Sequence, residues 1–459
     1  MSQRAEVEVE DSKQKTDVFL FREPIVLLAI LCLPLSFGIT AAIQIVKVKD
    51  VTDSTGLYQI WSLSGTAIPE LGMVFFAFLS EIHGRKPIFI ILYTLSIVSV
   101  ILHLLPGQES IRFSFPFLGI VKGGALVMGT LAITEYCSPK HRFTYLMFNG
   151  MLLNTLYSLT TIVLTLEARL YQYVQAFQIV LMLACLLSAC KWPESPYWLA
   201  SQGRLVDSQE AFLWLRGEEG RKERNLLMEE RRTPGPFKLY WISFFIAVAT
   251  ISVSVFTNLG DRFWIRWRIG RPKDIMTENI LRSCGGIVIA SLVSVLSYFV
   301  RRKLLFLLVC GISFILSYTM AIWVHVDSTV EDPSNLWFYF GYCTSDVIST
   351  FGPIELSVIL CVELIPLKYN THMACAVFLF RYVAYFPFVT FFWRHIGSFE
   401  ESHAFLPLFT TLSLVSVIVY YCFAPETKGK TLLEIQKLYT PELSKANSKE
   451  DHDKIVTHI

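Results

Sequence analysis

Charge is what this chain has least of. Only 17% of its 459 residues are Asp, Glu, Lys or Arg, where soluble domains carry about 25%. The formal net charge of +2 argues against a nucleic-acid partner. Ten cysteines are present, but their spacing matches neither a zinc site nor a disulfide framework. Most lie inside apolar runs (Cys32, Cys185, Cys190, Cys310, Cys361, Cys375, Cys422) and read as reduced packing residues. The histidines show no metal spacing. No phosphate-binding loop, nucleotide fingerprint or catalytic triad appears, so no cofactor and no catalytic residue is implied. No N-x-[ST] sequon occurs, and the polar stretch Met1–Val18 carries no evident signal peptide.

What fills the chain instead is apolar. Hydrophobic residues make up 53%, 35 of them Phe, and the mean hydropathy is +0.49. A helix needs ~20 apolar residues to cross ~30 Å of hydrocarbon. The sequence offers about twelve such runs: 25–46, 57–80, 87–105, 113–135, 143–166, 171–190, 238–259, 280–300, 304–325, 337–364, 371–393 and 403–424. Strand-like alternation is absent, and inside lipid each backbone polar group must pair within its own segment. The expectation is an all-α membrane protein with 12 transmembrane helices. The long polar stretch 191–237, which carries Arg204, Arg216, Arg221, Lys222, Arg224, Arg231 and Arg232, divides them into two six-helix halves, 25–190 and 238–424. That layout is the major facilitator fold.

Lys and Arg set the orientation. The N-tail 1–24, Arg85 and Lys86, Lys140 and Arg142, the central loop, Arg301 to Lys303, Lys368 and the C-tail 425–459 fall on one side. Both termini are therefore expected in the cytosol. The loop 260–279 dissents, with Arg262, Arg266, Arg268, Arg271 and Lys273 on the outer side.

Four segments at the ends of spans carry more. Glu81-Ile82-His83-Gly84-Arg85-Lys86 follows span 2, and Glu135 to Arg142 follows span 4. Pro193-Glu194-Ser195-Pro196-Tyr197-Trp198-Leu199 follows span 6, with Leu215-Arg216-Gly217 beyond it. Pro425-Glu426-Thr427-Lys428-Gly429-Lys430 follows span 12. In these segments the chain resembles the sugar porter family of the major facilitator superfamily. It is similar to the insect facilitated trehalose transporters, with the organic cation transporters next. The resemblance implies a charge network on the cytosolic face that ties the halves together while the site faces outward. Its matching residues are Glu81, Arg85, Glu135, Arg142, Glu194, Glu363 and Glu426. The C-half departs from the pattern. The family's Asp and Gly fall on Ser297 and Val300, and the Arg expected after Glu363 falls on Asn370. On this reading the second latch has lost partners and is weak.

Solute-binding signals are sparser. A polyol must exchange its hydrogen bonds to water for amides and hydroxyls. The family's span 5 Gln falls on Gly150, with Asn149 and Asn154 nearby, and its paired Gln in span 7 has no counterpart. Charges within spans usually face a cavity or a partner; here they are Glu70, Lys122, Asp346, Glu355 and Arg381. Lys122 stands where the family usually has Gln. Glu70, Glu355 and Arg381 join Asn149 and Asn154 as candidate solute contacts. The acid that proton-coupled members carry in span 1 is missing from Ser36 to Val46, which favours facilitated diffusion. The resemblance therefore implies a facilitative transporter of a small polar solute, a sugar above all, in the plasma membrane. An organic-ion transporter and a non-transporting solute sensor on the same scaffold remain alternatives. The ending Thr457-His458-Ile459 fits a PDZ groove.

Overall fold

The computed structural model describes residues 22–50, 67–105, 108–217, 225, 237–257, 275–326, 336–365, 372–381, 383 and 405–438. In the N-terminal part these form α1 (Arg22–Asp50), α2 (Ala67–His83), α3 (Arg85–Leu104), α4 (Gln108–Tyr136), α5 (Arg142–Leu166) and α6 (Tyr171–Ala189). Two short helices follow, α7 (Pro196–Ser201) and α8 (Leu205–Arg216). The C-terminal part has α9 (Phe237–Thr257), α10 (Ile275–Phe299), α11 (Arg302–Val326), α12 (Leu336–Ser349) and α13 (Glu355–Leu364). It is completed by α14 (His372–Arg381), then α15 (Phe405–Phe423) and α16 (Leu432–Lys437). Among the described residues, seven helices are long and apolar enough to cross a membrane. Their outward faces stay apolar, as at Phe75 and Phe78 on α2, Phe177 on α6 and Ile315 on α11. A lipid-facing surface needs nothing else.

Small residues set how closely the helices approach. A Cβ on Gly72 would lie 2.5 Å from the carbonyl oxygen of Ile120, and one on Gly123 would strike the carbonyl of Pro69. The two glycines let α2 and α4 pack backbone to backbone. Tyr93 crosses the half, its hydroxyl donating to the Ala29 carbonyl at 2.8 Å.

Three features differ from the expectation. The tenth span is not one helix: a π-helical turn, Thr350–Ile354, separates α12 from α13. Pro353 lacks the N–H that a continuous helix needs there. The polar stretch 191–237 is not simply a loop, since it holds α7 and α8. Ser195 caps α7, accepting from the Trp198 N–H at 3.3 Å, and Pro196 occupies the first turn. Past the last span, Thr431 and Glu434 form a reciprocal capping box, 2.8 and 3.1 Å, that starts α16. The loop 260–279 and the chain ends lie largely or wholly outside the described residues, as does the Thr457-His458-Ile459 ending.

The halves meet along α5 and α10, which pack along much of their length, and α13 also touches α4 and α5. The ends of α2, α4, α10 and α13 share one side with α7, α8 and α16; this is the latch end.

Candidate functional site: two matched latches and a central polar pathway

The chain enters α3 through Gly84, whose φ of +96° is one that side chains rarely adopt. A Cβ there would also run into the Glu194 carboxylate. The bare turn lets Glu194 sit on the start of α3. Its Oε1 accepts from the N–H groups of Arg85 (2.7 Å), Lys86 (3.2 Å) and Ser195 (2.8 Å). A helix N-terminus presents such unpaired N–H groups and favours negative charge. Arg85 itself is buried. Its Nε and Nη2 reach Glu135 Oε2 and Oε1 at 3.0 and 2.9 Å, and Nη1 donates to the Ser80 carbonyl at 2.9 Å. The Ser195 hydroxyl completes the cluster by donating to Glu135 Oε2 at 2.6 Å.

The C-half repeats this construction. Arg302 Nη1 pairs with Glu363 Oε1 and lies 3.3 Å from Thr427 Oγ1. Glu426 accepts from the N–H groups of Arg302 (3.0 Å) and Lys303 (3.4 Å) at the start of α11. The expectation of a lost second latch is corrected here. The pairing residue is Arg302, not Arg301, so the repeat is shifted by one. Ser80 and Ser297 then correspond, each five residues ahead of its latch arginine. Arg302 draws its partners from Glu363 and Thr427, so it does not depend on an acid at Ser297 or a base at Asn370.

Burial pushes the Glu194 carboxyl above its usual range, against the Ser195, Arg85 and Lys86 N–H groups and the Arg85 charge. Its acceptor oxygens therefore matter more than its charge. Glu194→Ala should destabilise the protein by about 1–3 kcal/mol, leaving three N–H groups unmet. Glu194→Gln should cost clearly less. Thermal unfolding in detergent checks this; equal losses would assign the role to the charge.

At the latch end several side chains cross between halves. The Arg302 guanidinium lies 5.1 Å from the Phe143 ring centroid of α5, within cation–π range. The Tyr298 hydroxyl of α10 reaches His141 Nδ1 at 3.4 Å and Thr144 Oγ1 at 3.3 Å. His372 of α14 stands 3.9 Å from Glu81, which is also 4.0 Å from Arg85. Leu433 of α16 joins Tyr197, Ala200 and Phe212 of the central helices in one apolar cluster. Deeper in, Ser283 donates to the Thr155 carbonyl at 3.5 Å, and the Glu355 carboxylate lies against bare Gly150.

The sequence-derived candidates thus divide. Arg85, Glu135 and Glu194 form one cluster, with Glu81 at its edge. Glu363 and Glu426 form the other. Arg142 joins neither: it is 1% exposed, and its Nε and Nη2 have no hydrogen-bond partner among the described residues. Arg216 instead fastens α8, donating to the Tyr136 carbonyl at 2.9 Å and standing 3.5 Å from Glu23.

In the middle of the bundle, Asn149 is buried with its Oδ1 unpartnered. Lys122 Nζ lies 5.3 Å from the Phe37 ring centroid. Gln178, a residue that sequence reasoning missed, has its Nε2 2.9 Å from the Ser36 carbonyl, 2.7 Å from Ser36 Oγ and 2.5 Å from Thr40 Oγ1. Glu355 and Arg381 are half-buried. Glu70 and Asn154 fall on α2 and α5, but their side chains lie outside the described residues. Also missed were Ser195 and Thr427. Their signal was legible, since Pro-Glu-Ser and Pro-Glu-Thr are one triplet repeated after the last span of each half.

Two helical halves with matched latches, meeting along a long helix pair, define a major facilitator fold, and solved structures carry the same fold. The proton:xylose symporter XylE bound to 6-bromo-6-deoxy-D-glucose is 18% identical, with a TM-score of 0.73 over 91% of this chain and 99% of that one. The inward open conformation of the xylose transporter XylE from E. coli is 15% identical, with a TM-score of 0.57 over 91% and 99%. The family model described as sugar (and other) transporter matches residues 38–439. The chain belongs to that family. It is a multi-pass membrane protein of a transporter family and not an enzyme. No curated protein matches it.

Proposed function

We propose that the protein carries a small hydroxylated solute, a sugar or sugar-like polyol, across the plasma membrane by alternating access and without an energy source of its own. The single observation that carries this reading is the matched pair of buried latches, Arg85–Glu135 and Arg302–Glu363, on a sugar transporter family chain. Each pair lies within its own half and braces the helix ends from which the cross-half contacts of Tyr298, Arg302 and His372 are made. Such contacts can hold two bundles in one of two arrangements that differ by a few kcal/mol. The cross-half contacts at the latch end are those of a pathway shut on that side. Arg142 supports a second state. A buried guanidinium with unmet donors is costly, and Glu363 Oε2 is likewise unpartnered. Both are candidates for new partners once the halves move. The missing acid between Ser36 and Val46 favours facilitated diffusion.

The latch end and both termini are placed on the cytosolic side by their Lys and Arg. Protease added outside intact cells should spare epitope tags at Met1 and Ile459; cleavage of either tag would reverse the orientation. The sensor alternative rested on an eroded C-half latch and on missing amides, and Arg302 removes the first of these motives. The test is solute entry into proteoliposomes, with counterflow. Saturable, time-dependent flux is expected. Binding without flux would make the protein a sensor.

A further inference from the structure

We propose that Glu355 determines which solute is carried. Its carboxylate forms the floor of the solute pathway, seated on bare Gly150 of the other half, and takes two neighbouring hydroxyls of the solute. This rests on the transport reading above and narrows the substrate to molecules with adjacent free hydroxyls.

The contact joins the two halves. A Cβ on Gly150 of α5 would lie 2.1 Å from Glu355 Oε2, 2.4 Å from Cδ and 3.1 Å from Oε1. The gap left by the missing side chain is therefore filled by a carboxylate from α13. Gly150 is eight residues from the latch end of α5, and Glu355 is nine from that of α13. Both lie about 12–14 Å in, just short of the middle of ~30 Å of hydrocarbon.

Burial shows that Glu355 faces the pathway. Among the described residues, the half-buried positions of α12 and α13 are Gly341, Thr344, Ile348 and Glu355; every other residue from Cys343 to Ile365 is buried. Their spacing of three, four and seven places them on one helix face. The helix carrying Glu355 packs against α4, α5 and α9, so this accessible stripe opens into the bundle and not onto lipid. A charge within a span usually faces such a space. The stripe ends at Glu355, because everything beyond it toward the latch end is buried. Glu355 also follows directly on the π-helical turn Thr350–Ile354, an irregularity often found at functional sites.

An ionised carboxylate only accepts hydrogen bonds, so the solute must bring donors to the floor. Two adjacent hydroxyls match its two oxygens, and such charge-assisted bonds are about twice as strong as neutral ones. Glu355 and Gly150 each make further interactions. A carboxylate has about four lone-pair positions, so a neighbour on one leaves others for the solute. Because the acceptor belongs to one half and its seat to the other, parting the halves at this level moves the solute's anchor away from α5. Solute binding is thereby coupled to that movement.

The test uses the full chain in proteoliposomes, with labelled xylose and its single-deoxy analogues as probes. Glu355→Gln keeps the shape and removes the charge. The half-saturating xylose concentration should rise about tenfold or more. In the parent, removing either hydroxyl of one adjacent pair should weaken uptake similarly. In Glu355→Gln the same removals should matter little, as expected of groups in contact. Gly150→Ala should fold, since the carboxylate is the far end of a flexible side chain and can swing aside, yet it should lose affinity. Added to Glu355→Ala, it should change nothing more. Thermal unfolding with and without xylose reports binding independently of flux. Deoxy penalties unchanged in Glu355→Gln would overturn the contact and leave transport standing. Glucosamine preferred over xylose, with the preference lost in Glu355→Gln, would also overturn it by assigning the carboxylate to an ammonium. Xylose stabilisation weakened in Glu355→Gln and Gly150→Ala, with no flux, would keep the floor and remove transport. Neither flux nor stabilisation would overturn both.

Discussion

Arg302→Ala is expected to cost about 3–5 kcal/mol of stability, because it strands a charge. The Glu363 side chain is fully buried, the Arg302 side chain is 5% exposed, and each is the other's ion-pair partner. Removing the base leaves a carboxylate in an interior that cannot solvate it. Arg85→Ala should behave alike, stranding Glu135, whose side chain is 2% exposed. Stability and gating can be separated by replacing both partners. Arg302→Met with Glu363→Leu removes the charges together, and such exchanges are often neutral or stabilising. The double variant should therefore recover most of the lost unfolding temperature. It should still cycle abnormally, because the cation–π contact to Phe143 has gone. A double variant as unstable as Arg302→Ala would mean that shape, not charge, holds this end together.

A covalent tie across the latch end should stop the protein. The Thr144 hydroxyl of α5 and the Tyr298 hydroxyl of α10 are 3.3 Å apart and belong to opposite halves. Thr144→Cys with Tyr298→Cys, joined by a short bifunctional thiol reagent, fixes the pathway shut on that side. The background should first be freed of its exposed thiols, Cys190, Cys284 and Cys422. Flux should fall to the rate of protein-free vesicles and return when a reducible link is cut. Each single cysteine should react without losing flux. Unchanged flux through the linked protein would mean that this seam does not open during transport.

Much of this architecture was legible in the sequence, for a physical reason. A membrane span must be long, apolar and helical, so Arg85–Leu104 or Tyr171–Ala189 announces itself by composition. The N-half latch was legible because Gly84 marks the tight turn and Glu135, Arg85 and Glu194 occur at separate span ends. The C-half latch was misread by one residue. No glycine marks its turn, and Arg301, Arg302 and Lys303 look alike in a string. Only packing decides which arginine turns inward to Glu363. The break in the tenth span was signalled by Gly352-Pro353, though not its form. The Gln178, Ser36 and Thr40 network joins residues up to 142 positions apart, and no local pattern could have joined them.

The central claim is that the latches, one within each half, brace the helix ends whose cross-half contacts keep the latch end closed, and a distance measurement tests it without knowledge of the solute. His83, at the end of α2, and Arg301, at the start of α11, are exposed and belong to opposite halves. Spin labels at His83→Cys and Arg301→Cys in the exposed-cysteine-free background report the separation by pulsed electron resonance in lipid nanodiscs. The parent should show mainly a short separation. Adding Arg302→Met and Glu363→Leu should transfer population to a longer one while the protein stays monodisperse. The same distance distribution in both proteins would contradict the account.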